Sequence, residues 1–482
     1  MSLATRTDDG WSTTRFVVLG FGTAGYACAD SLLQAGAEFV TVLDDRDTEA
    51  LREKAQILET LGATIKLGPG STAELPADVD VVVTSPGIRP QVPLLAAAAE
   101  RGLPIWSEIE LAWRLRDPAN AAPWLCITGT NGKTTTVQML TSILQAAGHR
   151  AVAAGNVGLP LLEAVMDPEP YDVIAVELSS YQLHFTHSMS AHSAAVLNVA
   201  PDHVDWHGSM EAYTADKGKI YENCQIACVY NVADPATEQL VMDADVIEGC
   251  RAIGFTLGTP EISMVGLVDE LLVDRAFVEQ RASSALELAT LDDITPAAPH
   301  NVANALAATA LARAYGVPAM AVRDGLRRFR PDAHRIAHVA EVAGVNYVDD
   351  SKATNPHAAQ ASLLAYEHVV WIAGGQAKGA SFDDLVIAAA PRLRGVVLLG
   401  QDKLLIAEAL ARHAPDVPTI TVETADTGAV TNMETVVGEA AKLAQVGDTV
   451  LLAPGCASWD MFANYGARGD AFAEAVRRLG DS

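Results

Sequence analysis

The chain has 482 residues, half of them hydrophobic, and its 60 acidic side chains outnumber 33 basic ones to give a formal charge of −27. That length suggests about three domains, each with its own core. A charge so negative excludes a general nucleic-acid or membrane-surface binder, while leaving room for small anions held by local basic groups and backbone N–H donors.

In chain order, residues 1–14 are polar and lack the apolar core of a signal peptide, so they read as a flexible tail. Four strands are expected next, at 15–20, 38–44, 63–67 and 80–85, with helical patterns between them. The first runs straight into 20-GFGTAG-25, a complete G-x-G-x-x-G, and Asp44 closes the second. Alone, this spacing fits a dinucleotide with Asp44 on a ribose, as in an NAD-dependent oxidoreductase. The same loop equally fits any diphosphate at a helix N-terminus, a UDP-sugar included. The Pro-, Asn- and Ala-rich RLRDPANAAPW at 114–124 reads as a linker.

A second α/β segment opens with the strand WLCIT at 124–128 and continues with strands at 172–178, 194–199 and 227–231. Its first loop, 128-TGTNGKTTT-136, has Ile127 where the usual G-x-x-x-x-G-K-[ST] needs its first glycine. Gly129 and Gly132 still let backbone approach phosphate oxygens, Lys133 can reach β- and γ-phosphates, and the Thr134 hydroxyl can ligate Mg²⁺. Glu177 falls at the end of the next strand, where a carboxylate could hold that ion.

The stretch 202-DHVDWHG-208 places His203 and His207 four apart, but Val204 stands where a zinc-protease motif requires Glu. His203 as a second metal ligand or as a polar contact stays open; His184, His187 and His192 read as structural or surface residues. Lys217, in ADKGKIYEN, reads as a solvated helix lysine, since an ammonium cannot ligate Mg²⁺ unless CO₂ converts it to a carbamate. Residues 256–298 are irregular and acidic and are expected to form a small antiparallel insertion. The helix 300–316 ends at Gly316 with Pro318 beyond. The six cysteines are scattered; the closest pair, Cys224 and Cys228, has no second pair at zinc-finger spacing, so all six read as ordinary reduced thiols. No run of about 18 apolar residues occurs, which would be needed to span a membrane. A third segment starts near FRPDAHR, with strands expected at 345–350, 368–375, 395–400, 418–423 and 449–455, again a doubly wound pattern.

TGTNGKTTT, ELSSYQL, DHVDWHG, the lysine of ADKGKIYEN, HNVANALAA and DSKATNP together resemble the Mur ligases, ATP-dependent amide ligases of peptidoglycan precursor synthesis. GFGTAG, DDSKATNPHAA, GGQAKGASF and PGCASWDMFANYGARG narrow the resemblance to the D-glutamate-adding member, and the D-N-P-R signature of the diaminopimelate- and lysine-adding ligases does not occur. The resemblance implies an α/β chain of three domains. They are a Rossmann-like UDP-sugar domain at 15–120, a central P-loop-type parallel sheet with a small β insertion at 121–331, and a Rossmann-like amino-acid domain at 332–482. The implied reaction uses ATP to turn the carboxylate of UDP-N-acetylmuramoyl-L-alanine into an acyl phosphate, which the D-glutamate amine attacks through a tetrahedral intermediate. A different amino-acid ligase of the same superfamily is the alternative.

By resemblance, Gly129, Thr130, Asn131, Gly132, Lys133, Thr134 and Thr135 hold ATP with Asn301, Asn304, His334, Arg335 and Asp350. Gly22, Thr23, Ala24, Asp44, Asp45, Thr84, Ser85 and Gly87 face the UDP-sugar, with Asn156 and His203 at its reacting end and Ser179 beside them. Lys352, Thr354, Lys378, Ser458 and Tyr465 take D-glutamate. Two Mg²⁺ ions are implied, one on Thr134 and Glu177, the other on His203 and a carbamylated Lys217. That makes Lys133, Glu177, His203 and Lys217 the catalytic set. A cytoplasmic monomer acting on small molecules, without nucleic acid or membrane insertion, completes the expectation.

Overall fold

A computed structural model describes residues 10–117, 119–423 and 429–480, excepting the side chains of 429–432. The expected tail therefore lies outside the described residues as far as residue 9. The chain divides into two compact units, one of residues up to 294 with 302–329, the other of 295–301 with residues from 330 onward.

The first unit contains two sheets. One is wholly parallel, in the order Thr64–Leu67, Phe39–Asp44, Arg15–Leu19, Val81–Thr84, Ile105–Trp106. Its central strands RFVVL and VVVT are buried runs of β-branched and aromatic residues, as a sheet covered on both faces requires. The other sheet has nine strands, in the order Leu286–Thr290, Leu271–Asp274, Met264–Val268, Arg251–Phe255, Ala227–Asn231, Ser193–Val196, Trp124–Thr128, Val173–Glu177, Ala151–Gly155. The pairings from Ala151–Gly155 to Met264–Val268 are parallel. The expected insertion is antiparallel, and it extends this sheet.

The two sheets of this unit share one continuous core. Trp106, Ile109, Leu111 and Trp113 belong to the same buried cluster as Trp124, Leu161, Leu183 and Met189. Ser107 N donates to Phe185 O at 2.9 Å. The buried Glu110 carboxylate accepts from His187 N, Ser188 N and Ser188 Oγ at 2.7–2.9 Å. Each large apolar side chain removed from water there contributes about 1.5–3 kcal/mol.

The second unit carries a six-stranded sheet in the order Ala337–Val342, Val345–Asp349, Thr449–Leu452, Val369–Gly374, Leu393–Leu399, Thr419–Thr421. All its pairings are parallel except the outermost, between Ala337–Val342 and Val345–Asp349. Among the described residues no helix is long and apolar enough to cross a membrane.

Candidate active site

The carboxyl ends of the nine-stranded sheet collect the chemistry. Trp124–Thr128 delivers the chain into the TGTNGK loop, and the helix Lys133–Ala146 leaves it with Gly132 as N-cap. Gly132 has φ +85, a left-handed conformation, and a Cβ there would stand 2.3 Å from Asn304 Oδ1. Gly132→Ala is therefore expected to weaken nucleotide binding about tenfold or more, because a left-handed alanine costs roughly 1–2 kcal/mol and Asn304 must also move. Titration with a fluorescent ATP analogue measures it; unchanged affinity would show that the loop tolerates a side chain.

The loop is braced from below. Thr130 Oγ1 meets Tyr213 Oη at 2.9 Å and Ala200 O at 3.1 Å, and Asn131 N donates to Asn198 Oδ1 at 2.9 Å. Lys133 Nζ donates to Gly129 O at 2.9 Å and Thr130 O at 3.0 Å. Lys217, fully buried, also donates to Gly129 O, at 3.0 Å, with its ammonium end over the Tyr213 ring. The solvated lysine of the sequence reading is thus a core residue. Burial, and then the charge of Lys133, hold its amine well below the usual lysine range.

Glu177 closes the strand Val173–Glu177 and is buried. Its Oε1 accepts from Asn156 Nδ2 at 2.9 Å, whereas Oε2 has no partner. An unpartnered buried carboxylate oxygen is costly, so something outside the chain must complete it. Glycine-bounded backbone, a lysine at the first helical turn and an orphaned carboxylate oxygen are the donor set for a nucleoside triphosphate with Mg²⁺. The residues present fit both groups.

His203 is the N-cap of a short helix, Val204–His207, in left-handed conformation at φ +54. Its ring lies 4.9 Å from that of Tyr181, which also stacks on His207 at 5.6 Å. Behind it is a cluster that sequence reasoning missed. Asp216 Oδ2 takes His184 Nδ1 at 2.7 Å and His207 Nδ1 at 2.9 Å, and Oδ1 meets Lys219 Nζ at 2.9 Å. His184, expected to be structural or surface, is one of three partners in this clamp. Burial alone would raise the Asp216 pKa, but the bonds from His184, His207 and Lys219 win and hold it well below the carboxylate range. A depressed carboxylate contributes stability that is whole above its unfolded pKa of about 3.9 and is lost as pH falls below that. The wild-type melting temperature should accordingly exceed that of Asp216→Asn near neutrality, with the gap closing below pH ~4. A gap independent of pH would mean the carboxylate charge is not what holds the clamp.

In the first sheet, the helix Thr23–Gln34 has Gly22 as N-cap and no side-chain cap, leaving its first N–H groups for a ligand. Thr23 and Ala24 begin that helix. Ser85 Oγ approaches Gly20 O at 3.4 Å, Thr84 is buried beside it, and a Cβ on Gly87 would meet nothing within 4 Å. Asp44 is engaged within the chain. Its Oδ2 accepts from Phe21 N at 2.7 Å and from Arg46, and its Oδ1 accepts from Arg46 N and Nε, so it latches the glycine loop from beneath. Asp45 is engaged by Thr72 N and Oγ1.

In the second unit, His334 Nδ1 meets Asp349 Oδ2 at 2.6 Å, and Asp350, buried, accepts from Ile336 N and from Ser362. Burial pushes the Asp350 carboxyl up to about 6, with Arg335 pulling the other way. Lys352 Nζ lies 3.9 Å from the Tyr465 ring centroid, and Lys378 Nζ 4.4 Å from that of Trp459. Two cations thus rest on aromatic faces, with Ser458 buried nearby in sequence to Trp459 and Thr354 in the loop after Lys352. Arg468, fully buried, ties these loops together: its Nε and Nη2 bond Ser351 Oγ and O, and its Nη1 bonds Cys456 O, all at 2.8–3.0 Å. Asn301, in the same unit, donates to Pro296 O at 2.8 Å.

This arrangement defines a nucleotide-binding α/β protein built on three sheets, with a phosphate loop at the carboxyl edge of the largest. Family models described as Mur ligase MurD-like N-terminal domain, Mur ligase middle domain and Mur ligase glutamate ligase domain match residues 14–107, 127–312 and 334–456. A Streptomyces avermitilis protein named UDP-N-acetylmuramoylalanine–D-glutamate ligase is 65% identical over 470 residues, covering 98% of this chain and 99% of its own. One of the same name from Mycolicibacterium vanbaalenii is 44% identical over 488 residues, covering 96% and 97%. The chain belongs to the Mur ligase family. Among solved structures, a MurF from Acinetobacter baumannii superposes with TM-score 0.59 at 17% identity, covering 95% of this chain and 93% of its own. A MurC from Thermotoga maritima does so with 0.55 at 18%, covering 96% and 99%. Both share the fold.

Proposed function

We propose that this chain joins D-glutamate to UDP-N-acetylmuramoyl-L-alanine at the expense of ATP, in cytoplasmic peptidoglycan precursor synthesis. The observation that carries the proposal is the convergence of Lys133, Lys217 and the orphaned Glu177 oxygen around a phosphate loop, in a chain with relatives of that name at 44–65% identity. A carboxylate is a poor electrophile. Transfer of the γ-phosphoryl group of ATP to the L-alanine carboxylate makes it reactive, and ADP leaves. The D-glutamate amine then adds to the acyl carbon, and phosphate departs from the tetrahedral intermediate as the amide forms.

Such phosphoryl transfer is mainly positioning and charge neutralisation. The backbone of residues 129–132 cradles the phosphates, Thr135 and Asn304 support the cradle, and Lys133 swings from the loop carbonyls to the γ-phosphate. Mg²⁺, held on Thr134 and Glu177 and on His203 with a carbamylated Lys217, would neutralise charge on the transferring group. Lys217 suits carbamate formation because an amine must be neutral to attack CO₂, and burial beside Lys133 disfavours its ammonium form. Asn156 holds Glu177 in place and would face the substrate carboxylate. Asn301, His334, Arg335 and Asp350 serve the adenosine end. The GFGTAG helix N-terminus binds the UDP diphosphate, while Asp44 and Asp45 act by bracing its surroundings. Lys352 and Lys378, held against Tyr465 and Trp459, pair with the two carboxylates of D-glutamate, with Thr354 and Ser458 adding hydroxyl donors. Each charge-assisted bond there is worth roughly 1.5–3 kcal/mol. The corresponding domains run 15–120, 121–331 and 332–482, and we expect a monomer.

Phosphate release with UDP-N-acetylmuramoyl-L-alanine and ATP, across a panel of amino acids, tests the assignment. D-glutamate alone should support turnover; activity with L-alanine or meso-diaminopimelate in its absence would overturn it.

A further inference from the structure

Away from the phosphate loop, three cysteines meet that neither the fold nor the reaction accounts for. Cys228 is the second residue of the strand Ala227–Asn231, Cys250 immediately precedes the neighbouring strand Arg251–Phe255, and Cys224 lies in the turn leading to the first of them. These strands run parallel, so the cluster sits at their amino ends, on the edge of the sheet opposite the phosphate loop. Their three sulfurs all lie within 4.8 Å of one another, and Cys228 Sγ to Cys250 Sγ is 3.8 Å. All three thiols are free.

We propose that Cys224, Cys228 and Cys250 form a binding site for a thiophilic divalent cation of the zinc class. A tetrahedral ion with metal–sulfur bonds of about 2.3 Å sets its sulfurs about 3.8 Å apart. The Cys228–Cys250 separation already has that value, and the remaining edges of the triangle need close by no more than about an ångström. Each coordinating thiol gives its proton to solvent as its metal–sulfur bond forms, and water supplies the fourth ligand. Cys250 is partly exposed while Cys224 and Cys228 are buried, which gives an ion a way in and a closed seat. Sequence spacing conceals the site, because its third ligand is 22 residues beyond the second and arrives through strand pairing.

The site would pin the segment that follows the helix Met210–Gly218, which carries Lys217. Cys224 comes just after the turn Lys219–Tyr221, whose Tyr221 Oη bonds both Val229 O and Val196 N in the sheet. An ion would fasten this turn to two strands at once, a linkage felt as stability and not as chemistry.

Cobalt(II) added to the fully reduced full-length chain under anaerobic conditions is the test. One equivalent should produce a thiolate-to-cobalt charge-transfer band, displaced by Zn²⁺, and Zn²⁺ should raise the melting temperature. Cys250→Ser and Cys228→Ser should each weaken cobalt binding at least tenfold and abolish the zinc-dependent rise, while Cys28→Ser, elsewhere in the core, behaves as wild type. Ligase turnover of Cys250→Ser with Mg²⁺ present but no zinc or cobalt added should match wild type, showing the variant is folded. Absence of the band with all six thiols reduced, its persistence in both variants, or a Cys228–Cys250 disulfide that forms in place of metal binding would overturn the proposal. None of these outcomes depends on the amino acid the enzyme adds.

Discussion

Lys217→Ala is expected to lower turnover by about 10²–10³-fold, the scale associated with losing one preorganised electrostatic group at a reacting centre. The loss should be partly reversed by acetate or formate, which fit the space vacated beneath the phosphate loop and bring back an anionic oxygen. Lys217 is fully buried between Gly129 O and the Tyr213 ring. Its removal therefore also leaves a cavity, and a fall in melting temperature is expected with it. Rescue separates the two roles: a lysine that merely filled space would not be replaced by a free carboxylate in solution. A second reading comes from bicarbonate labelled with carbon-13, which should give a carbamate signal in wild type that Lys217→Ala lacks. Unrescued Lys217→Ala at full activity would remove the carbamate from the mechanism.

Glu177→Gln is expected to move activity and stability in opposite directions. Turnover should fall by about 10²–10³-fold, as the metal loses an anionic ligand. The ligand-free protein should melt no lower than wild type, because removing a buried charge offsets the neutral but equally unpartnered amide nitrogen that takes its place. Oε1 keeps its bond from Asn156 in either form, while Oε2 has no bond to lose. Added Mg²⁺ and nucleotide should stabilise wild type more than the variant, since binding to the folded state alone raises its stability. A variant that is both less stable and fully active would show that Glu177 is a structural carboxylate.

Much of this architecture could be read along the chain because parallel strands buried on both faces leave apolar runs that need no partner to be recognised. RFVVL, VVVT and WLCIT are of that kind. The strand Ala151–Gly155 escapes the same reading because AVAAG has little β-preference, and it exists by pairing with Val173–Glu177. Arg251–Phe255 and Ala337–Val342 were likewise unforeseen, each carrying charge or glycine within its run. The phosphate loop was legible since its function lies in consecutive residues. The Asp216 clamp was not, for its partners stand 32 and 9 residues away and no local pattern joins them. Asp44 is legible only in part: spacing places it at a strand end, while its bonds to Arg46 two residues on show only in three dimensions. Arg468 is the plainest omission, an arginine with no exposed surface whose task is visible only once Ser351 and Cys456 are seen around it.

The common core of the first two sheets has a consequence for recombination. A chimaera that imports the first 120 residues from a distant relative must import the matching face of Leu161, Leu183 and Met189 as well, or leave two tryptophans against a foreign surface. Domain-swapped hybrids made to change the sugar-nucleotide preference should therefore splice near residue 330, where the compact unit ends, and not at the proline-rich join that looks inviting in the sequence.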